Sequence, residues 1–175
     1  MKARSKQRTK GRPGQRHRAG GFSLIEILIV IAVILVIAGI AIPQLLRSKM
    51  VANESAAAAA LRSICTVQVA YESTFNLGFA PNLASLGPPP PGNLPSASNA
   101  DLIDSVLASG IRNGYSFVYV PIDTGGTGKP DAFTVNANPV SPGQTGEKYF
   151  YADQTNVIRW KLGGPADSNS TPVPQ

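Results

Sequence analysis

Histidine and cysteine are almost missing from this chain of 175 residues, which carries His17 and Cys65 and no other residue of either type. A single cysteine excludes an intrachain disulfide, so the fold has no covalent staple. One histidine, set in a basic tail, leaves few candidates for a general base or a zinc ligand. Nor does the sequence offer a paired-acid or nucleophile constellation, so an enzyme, a metal and a cofactor are all unexpected. Acidic residues are absent from positions 1–21, which hold eight of the 16 Lys and Arg residues (Lys2, Arg4, Lys6, Arg8, Lys10, Arg12, Arg16 and Arg18). The remaining residues carry eight basic and ten acidic side chains, a formal net of −2. The overall charge of +6 therefore belongs to one segment, and a nucleic-acid partner is open but not indicated.

What is present divides into two materials. Gly11, Pro13, Gly14, Gly20 and Gly21 break any helix in the basic segment. Next comes Phe22–Ile42, an apolar run with one charge, Glu26. As a helix it would be about 31 Å long, against a hydrocarbon core of about 30 Å. Its many β-branched residues would favour strand in water. Lipid favours helix, because every backbone group must then be satisfied within the segment. Lys and Arg just ahead of such a span hold that end on the cytoplasmic side, with anionic lipid as the natural contact.

The helix is expected to continue past the membrane. Pro43 removes one donor and predicts a kink. Beyond it Leu46, Met50, Ala57, Leu61, Ile64, Tyr71 and Phe75 recur at steps of three, four or seven, an amphipathic stripe. Ala56–Ala60 are strong helix formers, and Gly78 is a stop signal after Asn76. Pro88–Pro91 suggest polyproline II within a loop at 77–98. Asp101–Ser109 reads as a short helix capped by Ser98 or Asn99 and ended by Gly110, with Leu102, Ile103, Val106 and Leu107 inward. Four strands are predicted at Tyr115–Val120, Ala132–Ala137, Lys148–Ala152 and Val157–Lys161, and the short turns between them favour antiparallel pairing.

The most informative stretch is Gly20-Gly21-Phe22-Ser23-Leu24-Ile25-Glu26, between the basic leader and the apolar run. It resembles the class III signal of type IV prepilins and type II secretion pseudopilins. The match covers residues 20–43. The resemblance implies that a prepilin peptidase cuts after Gly21 and that the new terminal residue, Phe22, is N-methylated. It also implies that Glu26 of one subunit pairs with Phe22 of a neighbour in a filament built from this chain, and that Pro43 marks the first kink. Membrane lipid before assembly and an inner-membrane assembly platform are the further implied partners. Localisation would be the bacterial inner membrane, then a surface pilus or a periplasmic pseudopilus. The leader is longer and more basic than in many members. The C-terminal disulfide loop of many pilins is absent, so no role of that loop transfers. The physics of Glu26 agrees: a charge in a span costs about 2.5–3.5 kcal/mol and needs a partner. Cleavage after Gly21 would create one, the α-ammonium of Phe22.

The expected architecture is α+β. A basic leader (1–21) is removed, a long helix (22–75) spans the membrane over 22–42, and a head (76–162) carries a four-stranded antiparallel sheet packed on the upper helix. A flexible tail (163–175) follows. The leading function is a major pilin serving adhesion, twitching motility or DNA uptake, with a secretion pseudopilin as the alternative. Gly39-Ile40-Ala41 could end a conventional signal peptide, but that leaves Glu26 without purpose. Gly125-Gly-Thr-Gly-Lys129 lacks phosphate-loop spacing and is followed by Pro130, so it reads as a turn. Asp123 and Asp131 flank that turn as thin candidates for Ca²⁺. Asn53-Glu-Ser and Asn169-Ser-Thr match the N-glycosylation pattern. Lys129, Lys148, Arg159 and Lys161 would form a basic patch if the last strands brought them together.

Overall fold

The structure is a computed structural model that describes residues 21–174. The basic leader, apart from Gly21, lies outside the described residues. Helix α1 runs from Leu24 to Phe75, through Pro43, whose missing N–H leaves the Gly39 carbonyl without its usual intrahelical donor. The chain divides into two compact units, Met1–Ile40 and Ala41–Gln175.

In the second unit the buried positions of α1 are Glu54, Ala57, Ala58, Ala60, Leu61, Ile64, Cys65, Gln68 and Tyr71. They form one stripe at helical period, and the sheet covers it. The stripe begins later than its sequence pattern suggests. Leu46 is exposed and Met50 half-buried, whereas Ala57, Leu61, Ile64 and Tyr71 are buried. The helix ends where Asn76 takes a positive φ of 52°, with Gly78 two residues on at 77°. Asparagine tolerates that conformation, so the stop signal is shared between the two residues.

The sheet is an antiparallel meander of six strands rather than four: β1 (Ile111–Arg112), β2 (Tyr115–Ile122), β3 (Ala132–Pro139), β4 (Lys148–Asp153), β5 (Arg159–Leu162) and β6 (Thr171–Pro172). Two extra edge strands account for the difference. β1 and β2 are joined by Asn113-Gly114, both at positive φ, the turn chemistry of a two-residue hairpin. β6 lies in the segment expected to be a free tail. That segment is tied down instead: Val173 N–H donates to Ile158 O at 2.8 Å, and Asn136 Nδ2 donates to Ala166 O at 2.7 Å. Ala166 and Ser170 are buried as a result. Hydrogen bonds to backbone oxygens hold this segment, and they leave no hydrophobic period in the sequence.

Strand β3 alternates strictly, burying Phe133, Val135 and Ala137. Together with Phe117, Phe150 and Ala152 they meet Leu61, Ile64 and Tyr71 of the helix in one core. Each large side chain there contributes about 1.5–3 kcal/mol by leaving water. Gly146 is required by this packing, since a Cβ there would strike the Tyr115 ring and hydroxyl.

The short helix is α2 (Ser105–Ala108), capped by Asp104, whose Oδ1 accepts from Val106 N and Leu107 N at 3.0 Å each. The expected start at Asp101 and cap at Ser98 or Asn99 are not seen. Ala100 N–H donates to Ser85 O and Asp101 N–H to Gly87 O, and Asp101 itself takes φ 57°. Pairing with the 3₁₀ turn Ala84–Leu86 competes with helix over this stretch. Ile103 and Leu107 point inward as expected, while Val106 is exposed.

Candidate functional site

The N-terminal end of α1 carries the sequence-predicted site. Ser23 O accepts from Glu26 N at 3.1 Å and from Ile27 N at 3.3 Å, which starts the helix one residue after the Phe22–Ser23 pair. Gly21 and Phe22 precede the helix, and Phe22 is 79% exposed. Glu26 lies in the first turn, where the helix's free N–H groups favour a carboxylate. It is exposed, and among the described residues no cation pairs with it. Gly21, Phe22 and Glu26 are thus local neighbours at one helix end.

From residue 21 to residue 49 every side chain except Ala38 is exposed. The exposed set is dominated by Ile, Leu and Val on all sides of the helix, from Leu24 to Leu46. Soluble monomers rarely present apolar patches above a few hundred Å². This helix is long and apolar enough to cross a membrane. An all-round apolar helix requires lipid or other helices around it.

A second polar constellation sits in the head, and sequence reasoning missed it. Glu54 is 8% exposed on α1. Its Oε1 accepts from Glu147 N at 3.0 Å and Lys148 N at 3.3 Å, and its Oε2 lies 3.0 Å from Lys148 Nζ. Lys148 Nζ in turn lies 5.3 Å from the Trp160 ring centre. One carboxylate thereby fastens the start of β4 to the helix. A second tie uses Gln68, fully buried, whose Oε1 accepts from Ala80 N at 2.8 Å. Ala80 O accepts from Tyr119 Oη at 2.7 Å, so helix, loop and β2 are linked through one residue. The available signal was polar residues falling in phase with the apolar stripe.

The other sequence candidates resolve individually. Asp123 Oδ1 accepts from Thr127 N at 3.1 Å and its Oδ2 from Gly128 N at 2.6 Å. Asp131 accepts from both the N–H and the hydroxyl of Thr124, which holds its carboxyl below the usual carboxylate range. Each carboxylate closes its own part of the β2–β3 loop, and no cluster of three or more His, Cys, Asp or Glu occurs among the described residues. Arg159 and Lys161 stand two residues apart on one face of β5, and the other two basic candidates are engaged elsewhere. Lys129 donates to Asn76 O, Lys148 is held by Glu54, and Arg159 donates to Ser170 O. Cys65 is buried, and desolvation, helped by the nearby Asp153 charge, pushes its thiol up to about 12.

The family described as the prokaryotic N-terminal methylation motif matches residues 16–42. Over 68 residues the chain is 40% identical to the type IV wide pilus major component PilA4 of Thermus thermophilus, covering 39% of this chain and 51% of that protein. The chain thus spans about half the length of the curated relative it matches. No solved structure matches it. The prepilin-type signal read from Gly21, Phe22 and Glu26 falls within the matched motif.

Proposed function

We propose that the chain is a pilin subunit, cut by a prepilin peptidase after Gly21, N-methylated on Phe22 and assembled through α1 into a filament of its own copies. One observation carries the reading: an apolar helix exposed on every side, with a single carboxylate in its first turn, directly behind the Gly21–Phe22 boundary. Before assembly, lipid of the inner membrane surrounds that helix. In the filament, neighbouring helices replace the lipid.

Glu26 is the registering group. Its carboxylate meets the α-ammonium that cleavage creates on a neighbour's Phe22. At about 4 Å and an effective dielectric of about 20 such a pair attracts by about 4 kcal/mol, before desolvation is subtracted. The net contribution is to register more than to stability, because a misregistered subunit leaves a charge unpaired. The name of the Thermus relative, a major component of a wide pilus, favours a surface pilus over a secretion pseudopilus. Adhesion or twitching motility are the roles that fit. DNA uptake by this head has less support, because Lys129, Lys148 and Arg159 are each engaged by acceptors within it.

The test is the intact mass and N-terminal sequence of the protein from membrane and sheared-surface fractions. A chain starting at methylated Phe22 in the sheared fraction is expected. Processed chain confined to the periplasm would move the reading to the pseudopilus. A chain starting at Met1, or near Ile42, would end the filament reading.

A further inference from the structure

Two segments share the Asn-x-Ser/Thr pattern, and the fold treats them oppositely. Asn53 lies in the interior of α1, half-buried, and its Nδ2 already donates to Thr145 O at 3.0 Å. Ser55, two residues on, leaves the helix on a different face, so amide and hydroxyl cannot be presented together. Asn169 has the opposite surroundings. It sits in an exposed turn closed by Ser170 N–H to Asp167 O at 3.1 Å. Its own N–H donates to Asp167 Oδ1 at 2.9 Å, which pins the backbone, while its carboxamide makes no hydrogen bond among the described residues.

The neighbours complete the arrangement. Ser170 is buried, and its hydroxyl is spent on Asp167 N–H and Oδ1. Asn169 and Thr171 on either side are both exposed. The amide nitrogen and the hydroxyl two residues on are therefore offered to solvent together, on a backbone fixed by hydrogen bonds. An acid, Asp167, stands two positions before the asparagine. Beside them lies a groove of about 380 Å³, lined by Asn169, Thr171, Trp160, Lys161 and Leu162, with room for a saccharide.

We propose that Asn169 is an acceptor for N-linked glycosylation, taking an oligosaccharide from a polyprenyl-diphosphate carrier on the outer side of the membrane. In the transfer, Asn169 Nδ2 forms a bond to C1 of the first sugar. The C1–O bond to diphosphate breaks, and polyprenyl diphosphate leaves with the electron pair. One amide proton passes to a base of the transferase, and nothing is oxidised or reduced. Thr171 supplies the hydroxyl by which a transferase recognises the acceptor. β6 is the edge of the sheet, so a glycan here also covers an edge that could otherwise pair with another head.

Export of the head is the one premise shared with the filament reading. The test is peptide mapping by mass spectrometry of the full chain purified from the cells that naturally make it. The tryptic peptide from Leu162 onward should carry the mass of whole sugar residues, with fragment ions placing them on Asn169. Asn169→Gln and Thr171→Ala should each abolish the addition, whereas Thr171→Ser and Asn53→Gln should keep it. All four variants should retain the wild-type far-ultraviolet circular dichroism, which separates loss of the acceptor from loss of the fold. A bare peptide in wild type, on a chain whose N-terminus is methylated Phe22, overturns the acceptor and leaves the filament reading intact. A saccharide that survives Asn169→Gln also overturns it, placing the sugar on a Ser or Thr oxygen.

Discussion

The membrane-length stretch of helix α1 and the stretch that packs on the head are built from different residues for different surroundings. From Leu24 to Leu46 the helix is Ile, Leu and Val on every side, nearly all exposed. From Glu54 to Tyr71 it is alanine-rich, with one buried stripe that includes two polar side chains. Bulky β-branched residues give the first region a large apolar surface that this chain does not cover. Small residues at Ala57, Ala58 and Ala60 let the head pack closely on the second. Both stretches are helical, yet intrinsic propensity explains only the alanine-rich one. The other owes its helix to an environment without water.

That contrast predicts opposite responses to substitution. Glu26→Ala should have the largest effect, at least a tenfold loss of filament in the sheared-surface fraction, with the head's unfolding unchanged. Equal filament yield would remove Glu26 from assembly. Leu61→Ala should destabilise the head by about 3 kcal/mol, because the side chain is fully buried. Urea unfolding of the detergent-solubilised chain, followed by Trp160 fluorescence, would measure it. Ile34→Ala, on the exposed region, should leave that transition in place. Glu54→Ala should cost somewhat less, about 2–3 kcal/mol, since Lys148 remains 40% exposed and can find water.

Two smaller effects sharpen the picture of the head. Cys65 should resist maleimide at pH 8 in the folded protein and react once urea unfolds it, since its thiol is buried and titrates near 12. Rapid labelling without denaturant would mean that the helix–sheet seam opens. Asp104, Asp131 and Asp167 all have carboxyls held below the usual range, chiefly by hydrogen bonds from backbone or hydroxyl groups. Their stabilising contribution is complete above the unfolded value of about 3.9 and is lost as pH falls through the lower folded values. Asp131→Asn should flatten part of that acid slope, read as the shift of urea midpoint between pH 5 and pH 3.

Much of this was legible from residue patterns. An apolar run and then a stripe at period 3.6 marked α1, short turns separated the four central strands, and the Gly21–Phe22–Glu26 arrangement falls within the matched methylation motif. β1 was also within reach, because Asn113-Gly114 is a strong hairpin signal. β6 was not, because backbone hydrogen bonds hold it and the residues around it are polar and proline-containing. Glu54 and Gln68 fall in phase with the apolar stripe, but their partners, more than ten residues away, are set only by the fold.

The sequence by itself determined what depends on local spacing and on solvent: an apolar span with one acid, a Gly21–Phe22 pair ahead of it within a methylation motif, and an amphipathic continuation. Only the tertiary structure decided which polar side chains are buried, that the last segment closes the sheet, and which asparagine stays open to chemistry. Those outcomes rest on partners distant in the chain, and a hydrogen bond between distant residues leaves no period to read.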